Sequence, residues 1–194
     1  MGRPEERLTS KENVNQSPGS FSQDGKWLAF NDEGSIWVAR TDDDRKPQNI
    51  WLGPSSKPRF SPDGRWLAYG SSESGRSEIY VQPFPGPGGK RVMSTEGGTD
   101  PVWSRDGREL FYLNDNKMMV VDVASGPTLS DLKPGLPRFL FEGRYFVSGI
   151  PSSYDVSPDG QRFLRIQPVE PEQPATQIDV VMNWLEELKA RVPR

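Results

Sequence analysis

The chain has 194 residues, with 24 Lys plus Arg against 27 Asp plus Glu and a formal net charge of −3. That length suits one domain, taken here as residues 1–194, and the slight acidity removes the electrostatic case for nucleic acid or an anionic membrane surface as a partner. The sequence contains no His and no Cys, which excludes serine–histidine triads, cysteine–histidine pairs and histidine or thiolate metal sites.

The first sixteen residues contain no apolar core, and no later run approaches the length of a membrane span. The sequence therefore predicts neither a signal peptide nor direct membrane contact. A recurring phrase then begins: FSQDGKWLAF at Phe21 to Phe30, FSPDGRWLAY at Phe60 to Tyr69, WSRDGRELFY at Trp103 to Tyr112, and VSPDGQRFLR at Val156 to Arg165. Its Asp-Gly pairs fall at 24/25, 63/64, 106/107 and 159/160. A unit of roughly forty residues built around a hairpin cannot bury its apolar surface alone and must stack on copies of itself.

Within the phrase, as in Ser61-Pro62-Asp63-Gly64, proline presets a turn and glycine takes the left-handed conformation that follows, predicting a three-residue hairpin loop. Ser22, Ser104 and Ser157 hold the equivalent first position, where a hydroxyl stiffens the turn. The four repeated aspartates, Asp24, Asp63, Asp106 and Asp159, thus read as turn residues rather than the paired carboxylates of a hydrolase.

The strands follow in chain order. The first unit, about 7–52, places them at Trp27 to Phe30, Ser35 to Ala39 and Asn49 to Leu52. The second, 53–95, has Trp66 to Tyr69, Glu78 to Gln82 and Arg91 to Ser94. The third, 96–142, has Leu110 to Tyr112, Met118 to Val123 and Arg138 to Phe141. The fourth, 143–183, has Phe163-Leu164 and Gln177 to Met182 but no outer strand, and Arg7-Leu8-Thr9 is the segment expected to fill that place and close a ring.

The strand after each turn is apolar on successive residues, so both its faces must be covered, and neighbouring units are the available covers. The predicted fold is all-β: a β-propeller of about four blades, forming a partial or small ring, with a short C-terminal α-helix over 184–192. Asn183 caps that helix, Glu186 completes a capping box, and Pro193 ends it.

Other motifs fail on spacing. Asp42-Asp43-Asp44 and Asn114-Asp115-Asn116 lack the glycine and glutamate of an EF-hand loop. Gly86 to Lys90 lacks the hydroxyl residue and helix start of a phosphate-binding loop. No catalytic, metal-binding or cofactor-binding residue is predicted. The candidates for binding are residues that differ between units at one position of the innermost strand, Arg59, Val102 and Asp155, with the segments before them. Lys57, Arg59, Thr99, Asp100, Ser153 and Asp155 are therefore expected to border the central channel.

Pro58 to Tyr69 and Asp100 to Leu110 resemble the TolB-type, WD-repeat-like propeller repeat. More narrowly, Glu78 to Lys90, Tyr154 to Phe163 and Val180 to Lys189 resemble the C-terminal propeller of bacterial multidomain serine/threonine protein kinases. This resemblance implies a non-enzymatic binding, sensing or scaffold module that engages a protein, a peptide or a small ligand at one propeller face. It implies an extracytoplasmic position if the chain is the tail of a membrane kinase, and a cytoplasmic one otherwise. Such propellers usually have six or more repeats, so four imply a fragment, a naturally short protein, or a homodimer in which a second copy completes the ring. The alternatives are the substrate-gating propeller of a prolyl-oligopeptidase-type serine peptidase and a TolB-like envelope scaffold.

Overall fold

In a computed structural model of the chain, the structure describes residues 9, 15–42, 46–86, 88–124, 126, 131–143 and 154–165. The first sheet runs β1 (Gln16–Phe21), β2 (Trp27–Asp32), β3 (Ser35–Arg40) and β4 (Gln48–Trp51) in that spatial order. The second repeats it with β5 (Ser55–Phe60), β6 (Trp66–Ser71), β7 (Glu78–Pro83) and β8 (Arg91–Val92). The third comprises β9 (Thr99–Trp103), β10 (Glu109–Asn114), β11 (Lys117–Ala124), β12 (Lys133–Pro134) and β13 (Arg138–Glu142). Here the outer strand comes in two pieces, β12 against Val123-Ala124 and β13 against Lys117 to Val120. A hairpin of β14 (Tyr154–Val156) and β15 (Phe163–Arg165) begins the fourth unit.

All the described pairings are antiparallel. The expected strand at Gln177 to Met182, the C-terminal helix over 184–192 and the closing Arg7-Leu8 lie outside the described residues. No helix among the described residues is long and apolar enough to cross a membrane.

The meander follows from the turn chemistry. In each repeat the serine hydroxyl donates to the aspartate carboxylate two residues on, at 2.6, 2.5, 2.8 and 2.5 Å. The same oxygen accepts the amide five residues on, from Trp27, Trp66, Glu109 and Arg162. The glycines sit at φ 69°, 70°, 72° and 70°, a conformation that costs a residue with a Cβ. Sequence reasoning expects a three-residue loop. The structure instead leaves four residues between the bonded pair, because the backbone closes through the Ser22 N–H donating to the Trp27 carbonyl and its three equivalents.

These turns make the fold acid-sensitive in a predictable direction. The Ser22 hydroxyl and then the Lys26 amide hold Asp24 below its usual 3.8. The Arg108 amide leads for Asp106, and the Ser157 hydroxyl for Asp159. At Asp63 burial pushes upward, but the Ser61 hydroxyl, the Arg65 amide and the Arg65 guanidinium outweigh it. A carboxylate depressed in the native state stabilises fully above its unfolded value, and that stability is lost as pH falls through the native value. Urea midpoints are expected to be flat from neutrality to about pH 5 and to drop below about pH 4. Asn at all four aspartates should flatten the acid limb, and an unchanged limb in that variant would contradict the assignment.

The sheets stack face to face. All six residues of β6 are buried, and they divide by alternation. Leu67 and Tyr69 pack with Ala29, Ile36 and Val38 of the first sheet. Trp66 and Ala68 pack with Trp103, Leu110 and Tyr112 of the third. The pattern continues, with Phe111 and Leu113 meeting Tyr154 of the fourth unit and Phe163 packed beside them. Each blade is thus the cover for its neighbour's apolar face, as the unbroken apolar runs require.

Candidate functional site

The innermost strands of the four units, β1, β5, β9 and β14, are tied to one another in sequence. The Arg59 Nη1 donates to the Gly19 carbonyl at 2.8 Å, and the Phe60 amide donates to the Ser20 hydroxyl at 2.8 Å. The Trp103 indole donates to the Arg59 carbonyl at 3.2 Å. The Tyr154 hydroxyl donates to the Asp100 carbonyl at 2.8 Å. Gly19 is what lets β1 approach β5 so closely, since a Cβ there would lie 2.4 Å from the Pro58 carbonyl oxygen.

Each inner strand of the first three units carries an irregularity: between Pro18 and Ser20, between Ser56 and Arg59, and opposite the step from Phe111 to Leu113. At the last two, Lys57 and Asp100 adopt φ of 54° and 56°, a region that residues with a Cβ visit rarely. Their side chains form an ion pair between the second and third blades, with Asp100 only 2% exposed.

Beyond these bulges the strands converge on a cavity of about 540 Å³. Phe21, Arg59, Val102 and Asp155 line it from the inner strands, and Gln23, Pro62 and Arg105 line it from the second position of the serine–aspartate turns. Tyr154, Leu164 and Arg165 complete the wall on the fourth unit's side. Tyr154 is 4% exposed. Burial, and then the Asp100 carboxylate, raise its phenol well above the usual 10, opposed by Arg59 and Arg165. It therefore stays neutral in the physiological range. Phe21 and Leu164 are 60% and 75% exposed.

Of the residues expected to border the channel, the structure brings Arg59, Val102 and Asp155 to the cavity wall. Lys57 and Asp100 lie two residues back along their strands and engage each other. Thr99 opens β9, and Ser153 lies outside the described residues. Phe21, Arg105, Tyr154, Leu164 and Arg165 are cavity residues that sequence reasoning missed. For Arg105 a signal was present, because the second turn position reads Gln23, Pro62, Arg105 and Pro158 and so varies while its neighbours do not. Phe21 shares a column with Phe60 and Trp103 and reads as core, but no described residue belongs to a blade before it. Among the described residues no cluster of three or more His, Cys, Asp or Glu side chains is placed to hold a metal.

No family model matches the chain, and no curated protein matches it. Solved structures do. A protein assigned as TolB from Agrobacterium tumefaciens is 26% identical, aligned over 77% of this chain and 52% of its own, with a TM-score of 0.58. TolB from Acinetobacter baumannii is 20% identical over 80% of this chain and 38% of its own, with a TM-score of 0.62. The Swd1 β-propeller domain of Myceliophteria thermophila is 11% identical over 86% and 56%, with a TM-score of 0.58. With successive four-stranded antiparallel sheets stacked through shared cores, these likenesses define the molecule as a β-propeller module. The sequence identity to the first of them makes it TolB-like. The chain spans about half the length of that first structure (52%) and 38% of the second.

Proposed function

We propose that this propeller is a non-catalytic recognition module that engages a protein, a peptide or a small ligand at the mouth of its central channel. The observation that carries the reading is the cavity of about 540 Å³ to which all four units contribute inner-strand residues. That volume is in the range of ligand sites. Its walls are fixed by cross-blade hydrogen bonds before any ligand arrives, and preorganisation of this kind lowers the cost of binding. The resemblance of Glu78 to Lys90 and Tyr154 to Phe163 to kinase-associated propellers supports the finer reading that the module senses for a receptor-like serine/threonine kinase. A kinase domain encoded on the same reading frame would support that role, and a hydrolase domain there would replace it with substrate gating.

Ligand-observed NMR with a library of fragments and short peptides tests the site. Binders are expected to lose affinity about tenfold or more with Leu164→Asp or Phe21→Asp, substitutions at exposed positions that leave the cores intact. Binders indifferent to both changes, or turnover of any compound by the purified chain, would overturn the reading.

A further inference from the structure

The charge at the channel mouth runs against that of the chain. Two guanidinium groups, Arg59 and the exposed Arg105, line the cavity against one carboxylate, Asp155, while the guanidinium of Arg165 is buried in the wall; the whole chain, by contrast, carries −3. Behind the wall Lys57 and Asp100 cancel as an ion pair, and the buried phenol of Tyr154 adds no negative charge. A concave site lined by one sign focuses its field on an incoming ion of the other sign. Beside this positive excess stand two exposed apolar side chains, Phe21 at 60% and Leu164 at 75%.

From this juxtaposition we propose that the channel mouth binds an apolar carboxylate, one anionic carboxyl group carried next to an aromatic or branched aliphatic side chain. The inference rests on the channel-mouth reading and adds the chemistry of the ligand. A guanidinium fork matches a carboxylate with two parallel hydrogen bonds, and the exposed Phe21 and Leu164 supply contact for the apolar body. A phosphate is a poorer match. The two serines on the wall, Ser61 and Ser104, already donate to Asp63 and Asp106, and no described helix offers an N-terminus to the cavity. The carboxylate can belong to a peptide chain end or to a small aromatic acid.

Two pairs of probes separate these sources: the tripeptide Gly-Gly-Phe against its C-terminal amide, and 3-phenylpropionate against 3-phenylpropanamide, titrated by calorimetry at low salt. In at least one pair the acid is expected to bind about tenfold more tightly than the amide, and added salt should weaken the acid alone. Tighter binding by the tripeptide assigns a chain terminus, and tighter binding by the phenylpropionate assigns a small acid. Arg105→Gln removes an exposed guanidinium that supports no core, and should reduce the difference between acid and amide several-fold. Asp155→Asn should enlarge it. Acid and amide binding equally, both still abolished by Leu164→Asp, would sink the carboxylate assignment and leave the channel-mouth site standing. Binding of either probe that ignores Leu164→Asp would sink both. No binding of either acid up to about 10 mM would overturn the carboxylate assignment.

Discussion

Trp66→Ala is expected to destabilise the protein by about 3–5 kcal/mol, the range for emptying a buried tryptophan site. Trp66 is 2% exposed and belongs to the cluster between the second and third blades. Its truncation leaves a void bounded by Trp103, Leu110 and Tyr112, which their own strands hold in place. The indole nitrogen of Trp66 has no hydrogen-bond partner among the described residues. Trp66→Phe should therefore cost well under half as much, because it keeps most of the ring contact and forfeits no bond. Equilibrium urea unfolding of the two variants checks the pair of values. A Trp66→Ala variant as stable as the parent would mean that the sheets do not pack through this face.

The second large effect belongs to the inner-strand ion pair. Lys57→Ala takes the cation away from Asp100, which is 2% exposed, and leaves a buried carboxylate without it. Removing one partner of a buried ion pair typically costs about 3–5 kcal/mol. Removing both charges together, as Lys57→Met with Asp100→Asn, should recover most of that loss. Asn tolerates the left-handed backbone at φ 56° that Asp100 adopts. A double variant no more stable than Lys57→Ala would show that the pair contributes more than mutual neutralisation. Because the Asp100 carbonyl also receives the Tyr154 hydroxyl, the single variant should loosen the fourth unit first, seen as faster amide exchange in β14 and β15 than in β6.

Much of this architecture was legible because the repeat acts through local chemistry. The serine, aspartate and glycine of each turn bond within five residues of one another, so any occurrence of the phrase predicts the hairpin. The apolar run Trp66 to Tyr69 announced a strand covered on both faces, and the structure covers it with two different blades. Aligning the repeats also singled out Arg59 and Asp155, which do reach the cavity.

What escaped the sequence depends on partners far along the chain. Nothing local in Lys57 or Asp100 says that their bulges meet, since each strand's irregularity is set by its own pairing and the ion pair by blade stacking. Gly19 lies outside the recurring phrase, and what fixes it is the Pro58 backbone, nearly forty residues on. The outer strands were legible only roughly. β8 shrinks to Arg91-Val92, and the third unit's outer strand divides into β12 and β13, because an edge strand's length is decided by what lies beyond it more than by its own residues.

The convergence of four units on one mouth can be tested by covalent linkage. The sequence has no cysteine, so Phe21→Cys with Leu164→Cys introduces the only two thiols, both exposed and both on the wall of the same cavity. Treated with a flexible bis-maleimide at low protein concentration, the double variant is predicted to form an intramolecular bridge in high yield, seen by mass spectrometry as one peptide pair joining the first and fourth units. Links that form only between molecules, or two thiols each capped singly, would contradict a channel shared by all four.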